Sequence, residues 1–357
     1  MQKKYYWLKM EVSLINKKYA LVSEYLGVKD DSEGVRKFVR LWTEFTENKE
    51  FLLLENKFGL GRIQKVLYFV KALYEIVKRR AMIDKVIYIP SAGETIGTLL
   101  KIGFFKMILK RKIILIVFVN RPYGKFKLAL LRLIRPDFIL SQNSYMLSEY
   151  RKLGIKNNII PSCVDLEKFK PVSNTSKMEI RRHLGLPLNK LVVLHVGHFD
   201  INRNLELLIK FANFTDVFLI IIGGAFYNRS YYKSLIRQAK KYNVLFLCRY
   251  IADIEKFYQA SDAYVFPVRT VGAISLPISV LEAMAVNLPV FTTRYGLLPK
   301  YFKETDGFYY FEDLEGLLKK FWHFVEYKEY EVNNREKVLK FNCKIVFSQV
   351  MEFINTV

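Results

Sequence analysis

Short apolar runs recur along the chain, separated by stretches whose apolar positions fall three and four residues apart. The first pattern is that of buried strands and the second that of helices. In the first half the runs predict strands over residues 19–25, 51–55, 85–89, 113–119 and 138–141. A helix over 35–46 follows from Val35, Phe38, Val39 and Trp42. A second, over 63–80, follows from Val66, Phe69, Val70, Leu73 and Val77, and ends in Lys78-Arg79-Arg80, where cations suit the helix dipole.

The alternation restarts in the second half. Strands are predicted over 191–196, 217–222, 244–247, 263–266 and 289–292, with helices over 205–211, 231–241, 254–260 and 279–285. The tail from Leu314 reads as helical and polar, ending in residues 347–357. Strands alternating with helices define an α/β class with parallel sheets. We expect two doubly wound, Rossmann-like domains facing across a cleft. Residues 1–170 form the first, 171–340 the second, and a helix over 341–357 packs back toward the first. Ligands of such sheets bind beyond the carboxyl ends of the strands.

Composition narrows the picture by exclusion. With 51% hydrophobic residues, 17 Gly, 10 Pro and 3 Cys among 357, the chain is neither disordered, collagenous nor a disulfide scaffold. Cys163, Cys248 and Cys343 form no metal-binding pattern and read as reduced, buried thiols of a cytoplasmic protein. No secretory signal is visible, and the longest apolar run, 113–119, is far shorter than the roughly 20 residues of a membrane span. The net charge of +23 calls for an anionic partner. Residues 1–170 hold 33 of the 57 cations and 16 of the 34 acids, and none of the acids lies between Glu94 and Asp137.

The chemistry concentrates near residue 280. A strand ends at Pro267, a loop with Gly272 and Ser275 offers backbone N–H groups to an anion, and a helix opens near Ser279. Glu282 in its first turn suits a ribose diol. The stretch Leu281-Glu-Ala-Met-Ala285, with Leu288-Pro-Val290, resembles the donor segment of the GT-B glycosyltransferases, specifically the large retaining family four, also described as glycosyl transferases group 1. The resemblance implies that Glu282 holds the ribose of a nucleoside-diphosphate sugar. It also implies donor contacts at Ile274, Ser275 and Leu276. Ile274 stands where the family has the first glutamate of a pair, and Asn287 replaces a common glycine.

Further matches follow. Pro161-Ser-Cys-Val-Asp-Leu-Glu-Lys-Phe-Lys-Pro171 is similar to the family's interdomain segment, with Ser162 and Cys163 as substitutions. The stretch from His195 through Gly197, His198, Arg203 and Asn204 resembles the element whose cations grip the donor diphosphate, Arg203 at the Lys position and His198 where Arg is common. Gly223-Gly224 resembles the family's glycine turn. Arg249, Tyr250 and Ile251 lie where its nucleobase is cradled. On the acceptor side, Gly27 and Gly34 resemble a first glycine loop, and Asn120 or Arg121 stands in for a histidine near the reaction centre.

The resemblance thus implies a retaining transferase that needs no protein-bound metal or other cofactor. Arg203 and Glu282 are its principal catalytic candidates, and UDP- or GDP-sugars its donors. Its acceptor is expected to be membrane-linked or of another kind, with the enzyme peripheral at the inner face of an anionic membrane. Phe104, Phe105, Met107 and Ile108, with their neighbouring lysines, are expected to meet that surface. Two other readings stay open: a non-catalytic sugar-nucleotide or membrane-binding module of the same fold, and a transferase acting on nucleic acid.

Overall fold

The computed structural model describes residues 18–27, 34–47, 50–91, 93–118, 124–142, 144–224, 228–269, 275–327 and 332–357. The chain divides into two compact units. Of the described residues, the first takes those within 18–27, 35–160 and 347–357, and the second takes Gly34 and those within 161–346.

The first unit runs β1 (Tyr19–Val22), α1 (Gly34–Thr46), β2 (Phe51–Leu53), α2 (Arg62–Lys78), β3 (Lys85–Tyr88), α3 (Ile96–Leu109), β4 (Lys112–Val117), α4 (Lys125–Leu133), β5 (Phe138–Ser141), α5 (Ser144–Lys152) and β6 (Lys156–Ile159). The six strands form one parallel sheet in the order β2-β1-β3-β4-β5-β6. Every crossover from β2 onward moves the same way across the sheet, so right-handed connections put α2, α3, α4 and α5 on one face. Their inner residues, including Tyr68, Ala72, Ile76, Leu99, Phe105, Leu131 and Tyr150, share one core with the strands. Residues 347–357 complete this unit. Phe347 packs on Phe38, Trp42 and Phe45 with centroids 5.2–5.3 Å apart, and Lys85 donates to the Ile354 carbonyl at 2.7 Å.

The second unit runs α6 (Asn174–Leu184), β7 (Val192–Val196), a 3-10 turn (Ile201–Arg203), α7 (Leu205–Thr215), β8 (Phe218–Gly223), α8 (Arg229–Ala239), β9 (Val244–Cys248), α9 (Ile254–Ala260), β10 (Ala263–Phe266), α10 (Ile278–Ala285), β11 (Val290–Thr292), α11 (Leu298–Tyr301), β12 (Phe308–Tyr310), α12 (Leu314–Glu326) and α13 (Asn334–Val338). A last helix, α14 (Cys343–Asn355), leads from this unit into the closing segment of the first. The parallel sheet of the second unit has the order β12-β11-β10-β7-β8-β9.

Several expectations change. β1 stops three residues early because the Ser23 N–H donates to the Tyr68 hydroxyl at 3.0 Å and the chain turns. β6 and β12 escape the apolar pattern: β6 is a polar edge strand, Lys-Asn-Asn-Ile, and β12 has three residues. The 63–80 helix exists, but its buried face is Tyr68, Ala72 and Ile76, while Val66, Val70 and Val77 are exposed. Phe105 is fully buried, unlike its neighbours Phe104 and Met107. The cysteines are not all free. Cys163 and Cys343 form a disulfide, Cα atoms 4.8 Å apart, where Val164 pairs with Asn342; Cys248 alone is a free thiol. Among the described residues no helix is long and apolar enough to cross a membrane.

Candidate active site

In the second sheet the chain leaves β7 toward β8 on one side and later leaves β10 toward β11 on the other. The crevice beyond β7 and β10 is therefore the topological switch point, where open parallel sheets bind ligands. Hydrogen bonds tie its walls, among them that from the Tyr264 hydroxyl to the Val196 carbonyl at 3.2 Å. His195 Nδ1 meets the Val265 carbonyl at 2.9 Å, and the Arg269 N–H donates to the Asn202 carbonyl at 3.0 Å.

Gly197, His198, Arg203 and Asn204 follow β7. The Gly197 N–H is already committed to the Ile222 carbonyl at 2.9 Å, so its role is steric. A Cβ there would lie 2.9 Å from His195 Nε2 and 3.7 Å from Arg203 Cδ. Asp200 caps the 3-10 turn, its carboxylate accepting from the Asn202 N–H at 2.9 Å. Arg203 ends that turn, and Asn204 then takes the left-handed conformation, φ 52°, from which α7 starts. Glu206 fixes the start of α7 by accepting from the Tyr231 hydroxyl at 2.6 Å, and that hydroxyl accepts from the Leu205 N–H.

Arg203 is half-buried, its guanidinium 5.5 Å from the Phe266 ring centroid. Among the described residues no carboxylate pairs with it. A cation fixed by its backbone and stacked on an aromatic face, without a resident counterion, is suited to bind an anion. Gly223 closes β8. A Cβ there would sit 2.5 Å from the Phe199 ring and 2.8 Å from the Gly197 carbonyl, so glycine lets the two turns pack. Gly224 follows it. Arg249 and Tyr250 are exposed and Ile251 half-buried just beyond the edge strand β9.

On the β10 side, α10 begins at Ile278 with Pro277 as its N-cap. Ser279 is therefore inside the helix rather than its cap, and Glu282 lies two residues deeper than expected, in the second turn. Glu282 is 4% exposed, and its Oε2 accepts from the Tyr258 hydroxyl at 2.8 Å. Burial, and then the Glu282 charge, hold that phenol protonated far above its ordinary range. Phe169 packs edge-on against Tyr258 at 5.5 Å. The Ser162 hydroxyl donates to the Leu276 carbonyl at 2.6 Å, and the Leu297 N–H donates to the Ser275 carbonyl at 2.8 Å. The 161–171 segment therefore braces both the loop before α10 and the carboxylate upon it. Asn287 takes φ 64°, which explains a glycine-like position, and its side chain accepts from the Asn334 and Arg335 N–H groups at 2.9 and 3.1 Å.

Ile274, Asn120 and Arg121 lie outside the described residues. Gly27 sits in the turn after β1 with φ 80°, and Gly34 is the first residue of α1. Sequence reasoning missed Tyr258, Gly296 and the buried role of His195. It also missed Glu24 at the switch point of the first sheet. Glu24 is 3% exposed and accepts from Tyr88, the Ser91 N–H and Lys101 at 2.9, 2.9 and 2.6 Å. Burial works to raise its pKa, but the Lys101 charge and the hydrogen bonds from Lys101 and the Ser91 N–H together hold it below the ordinary value. A lone acid directly after an apolar run was its only signal.

His195 is fully buried. A carbonyl can only accept, so Nδ1 carries the hydrogen and Nε2 is bare, without a donor among the described residues. Burial, helped by the Arg203 charge, lowers its pKa from 6.5 to about 3. Between those values the unfolded chain binds a proton here that the folded chain does not. Folding stability therefore falls as pH drops below about 6.5, by about 1.4 kcal/mol per unit from this one group. Urea midpoints between pH 7 and pH 4 should show a shallower loss in His195→Gln than in the wild type. Parallel curves for the two would refute this assignment.

Residues 176–332 match the family model for glycosyl transferases group 1. A UDP-Gal:alpha-D-GlcNAc-diphosphoundecaprenol alpha-1,3-galactosyltransferase of Escherichia coli is 30% identical over 143 residues, 38% of this chain; the match spans only 36% of that relative's length. Among solved structures, Anabaena HepE in complex with UDP superposes with a TM-score of 0.74 at 13% identity, covering 95% of this chain and all of that one. Sucrose-phosphate synthase from Thermosynechococcus elongatus superposes with a TM-score of 0.72 at 16% identity, covering 96% and 98%. The fold is GT-B, as the sequence resemblance implied.

Proposed function

We propose that this chain is a retaining glycosyltransferase that moves a sugar from a nucleoside-diphosphate sugar, UDP-linked in the first instance, to a lipid-linked acceptor. The observation that carries the reading is the switch-point crevice of the second unit. It holds a cation without a described carboxylate partner, Arg203, on the β7 side, and a buried carboxylate braced by a phenol, Glu282 with Tyr258, on the β10 side. A diphosphate needs the first and a ribose diol the second. The UDP bound by HepE and the UDP-Gal and diphosphoundecaprenol substrates of the Escherichia coli relative support the same choice.

In the reaction the bond between the sugar C1 and the diphosphate oxygen breaks, and a bond from C1 to the acceptor hydroxyl oxygen forms on the same face. The acceptor's proton passes to the leaving diphosphate. Negative charge grows on that diphosphate, where Arg203 stabilises it without a protein-bound metal. Glu282 positions the nucleoside. The first unit binds the acceptor.

A thermal-shift series with UDP, GDP, ADP and their sugars tests the donor site, because a ligand at about a thousand times its Kd stabilises by about 4 kcal/mol. Glu282→Gln keeps an acceptor for Tyr258 but removes the charge offered to the ribose. Its UDP affinity should fall by about ten- to a hundredfold, the value of one or two charged hydrogen bonds. No shift with any nucleotide, or wild-type affinity in Glu282→Gln, would overturn the site. Ile274, in place of a family glutamate, favours one rival reading, a binding module. Nucleotide binding without turnover, over a range of sugars and lipid acceptors, would establish that rival.

A further inference from the structure

The outer side of the first unit's helical layer is apolar where solvent should meet charge. On α2, Ile63, Val66, Leu67, Val70, Tyr74 and Val77 are 42–77% exposed. At 100° per residue they fall within an arc of about 100°, opposite the face made by Tyr68, Ala72 and Ile76. The helix is thus apolar on two opposite sides, and the sheet covers only one.

The stripe does not end at one helix. α3 packs beside α2 through Phe69, which meets Phe104 and Phe105 at centroid distances of 6.5 and 5.0 Å. On its outer side Leu100, Phe104 and Met107 are 47%, 48% and 66% exposed. α4 approaches α3 where Gly103 faces Ile134, and it presents Phe126 and Leu133, one heptad apart, at 67% and 82%. Three adjacent helices therefore share one exposed apolar surface, of the kind that monomeric soluble proteins avoid unless it binds something.

Charge identifies the occupant. The three helices carry nine cations and one carboxylate, Glu75, which Arg79 already pairs. Lys71 and Lys78 flank the α2 stripe, placed to lay their stems along apolar surface and their ammonium groups at its edge. Lys71 also lies 5.6 Å from the Phe58 ring centroid. A second copy of this chain, meeting the same face across a two-fold axis, would oppose cations to cations. Acyl chains beneath a plane of negative headgroups satisfy both the apolar centre and the cationic rim.

We propose that the outer face of α2, α3 and α4 docks on an anionic lipid bilayer. The inference extends the lipid-linked acceptor proposed above but rests on this surface alone. Co-sedimentation of the full chain with vesicles of phosphatidylcholine, with and without 30 mol% phosphatidylglycerol (about a third of the lipid, enough for a negative surface), tests it. Binding is expected to the anionic vesicles only and to weaken in high salt as the headgroup charge is screened. The double substitution Val66→Glu with Val70→Glu, on exposed positions, should reduce vesicle affinity at least tenfold and leave the UDP thermal shift intact. Lys71→Glu with Lys78→Glu should do the same. An unchanged circular dichroism spectrum and ligand-free melting temperature in each variant show that the first unit is folded, so loss of vesicle binding is not loss of structure. Three outcomes overturn the proposal: no binding of the wild type to anionic vesicles, equal binding to neutral ones, or unchanged binding in both variants. A wild-type dimer in light scattering that the α2 variants dissociate would also overturn it, by assigning the face to a second copy.

Discussion

Arg203→Ala is expected to lower kcat for sugar transfer by about a hundred- to a thousandfold, or about 3–4 kcal/mol, the usual cost of removing one donor aimed at developing negative charge. The physical case starts from its surroundings. The guanidinium is held over the Phe266 ring, at the end of a turn where the Asn202, Arg203 and Asn204 N–H groups are already bonded, and no described carboxylate neutralises it. The Gly197 N–H is likewise committed, to Ile222. Fewer main-chain donors are therefore left for a diphosphate than a glycine-rich turn suggests, and more of the work falls on this side chain. Because the charge on the leaving group grows in the transition state, the loss should appear more in kcat than in KM. Arg203→Lys should recover part of the rate, since an ammonium supplies charge without the planar fork. Little stability should change, the side chain being only half-buried and lacking a described ion-pair partner to strand. Initial rates with a radiolabelled UDP-sugar measure the effect. A kcat within about threefold of wild type, less than one hydrogen bond is worth, would remove Arg203 from the chemistry.

The candidate donor site was legible as a cluster because its pieces are local. Gly197 to Asn204, Gly224 and Arg249 to Ile251 each follow a strand directly, Gly223 ends one, and parallel strands end on one edge. Once the strands are found, those residues assemble without further information. The support behind them is not local. Tyr258 reaches Glu282 across 24 positions and Ser162 reaches Leu276 across 114, and no periodicity encodes either pairing. Cys163 and Cys343 are 180 residues apart and meet because Val164 and Asn342 pair as an isolated bridge. The orientation of α2 was illegible for another reason. Its sequence holds two apolar stripes on opposite sides, and periodicity reports a stripe without saying which side the sheet will cover. The spacing of Val66, Val70 and Val77 marks the helix but not its buried side, which the bulk of Tyr68, hydrogen-bonded to Ser23 and the Leu54 carbonyl, decides. The stripe left outside marks the surface that a globular protein had no folding reason to make apolar.

Gly296→Ala is expected to cost about 3 kcal/mol or more of stability, in the range of strain at a special backbone position, and to abolish measurable UDP binding at concentrations that saturate the wild type. Gly296 has φ +53°, a conformation that costs an L-residue about 1–2 kcal/mol. The added Cβ would also stand 2.1 Å from the Ser275 carbonyl oxygen and 2.9 Å from its carbon. Those atoms are backbone, so no side chain can swing aside. Either the loop before α10 moves or the Leu297 N–H to Ser275 hydrogen bond breaks, losing about 1 kcal/mol more. The same loop is held from its other side by Ser162 on Leu276, so displacement strains that contact too and shifts the start of α10, which carries Glu282. Gly185→Ala provides the control. Gly185 has φ +66° at the C-cap of α6, but a Cβ there meets nothing within 4 Å. It bears the conformational cost alone and lies away from the crevice. In differential scanning calorimetry Gly296→Ala should lose about 6–12 °C and Gly185→Ala roughly half of that or less. Only the first should lose the UDP-induced shift. Equal melting losses in the two variants would mean that the Ser275 contact is unimportant. A full UDP shift in Gly296→Ala would mean that the loop it braces does not shape the donor site.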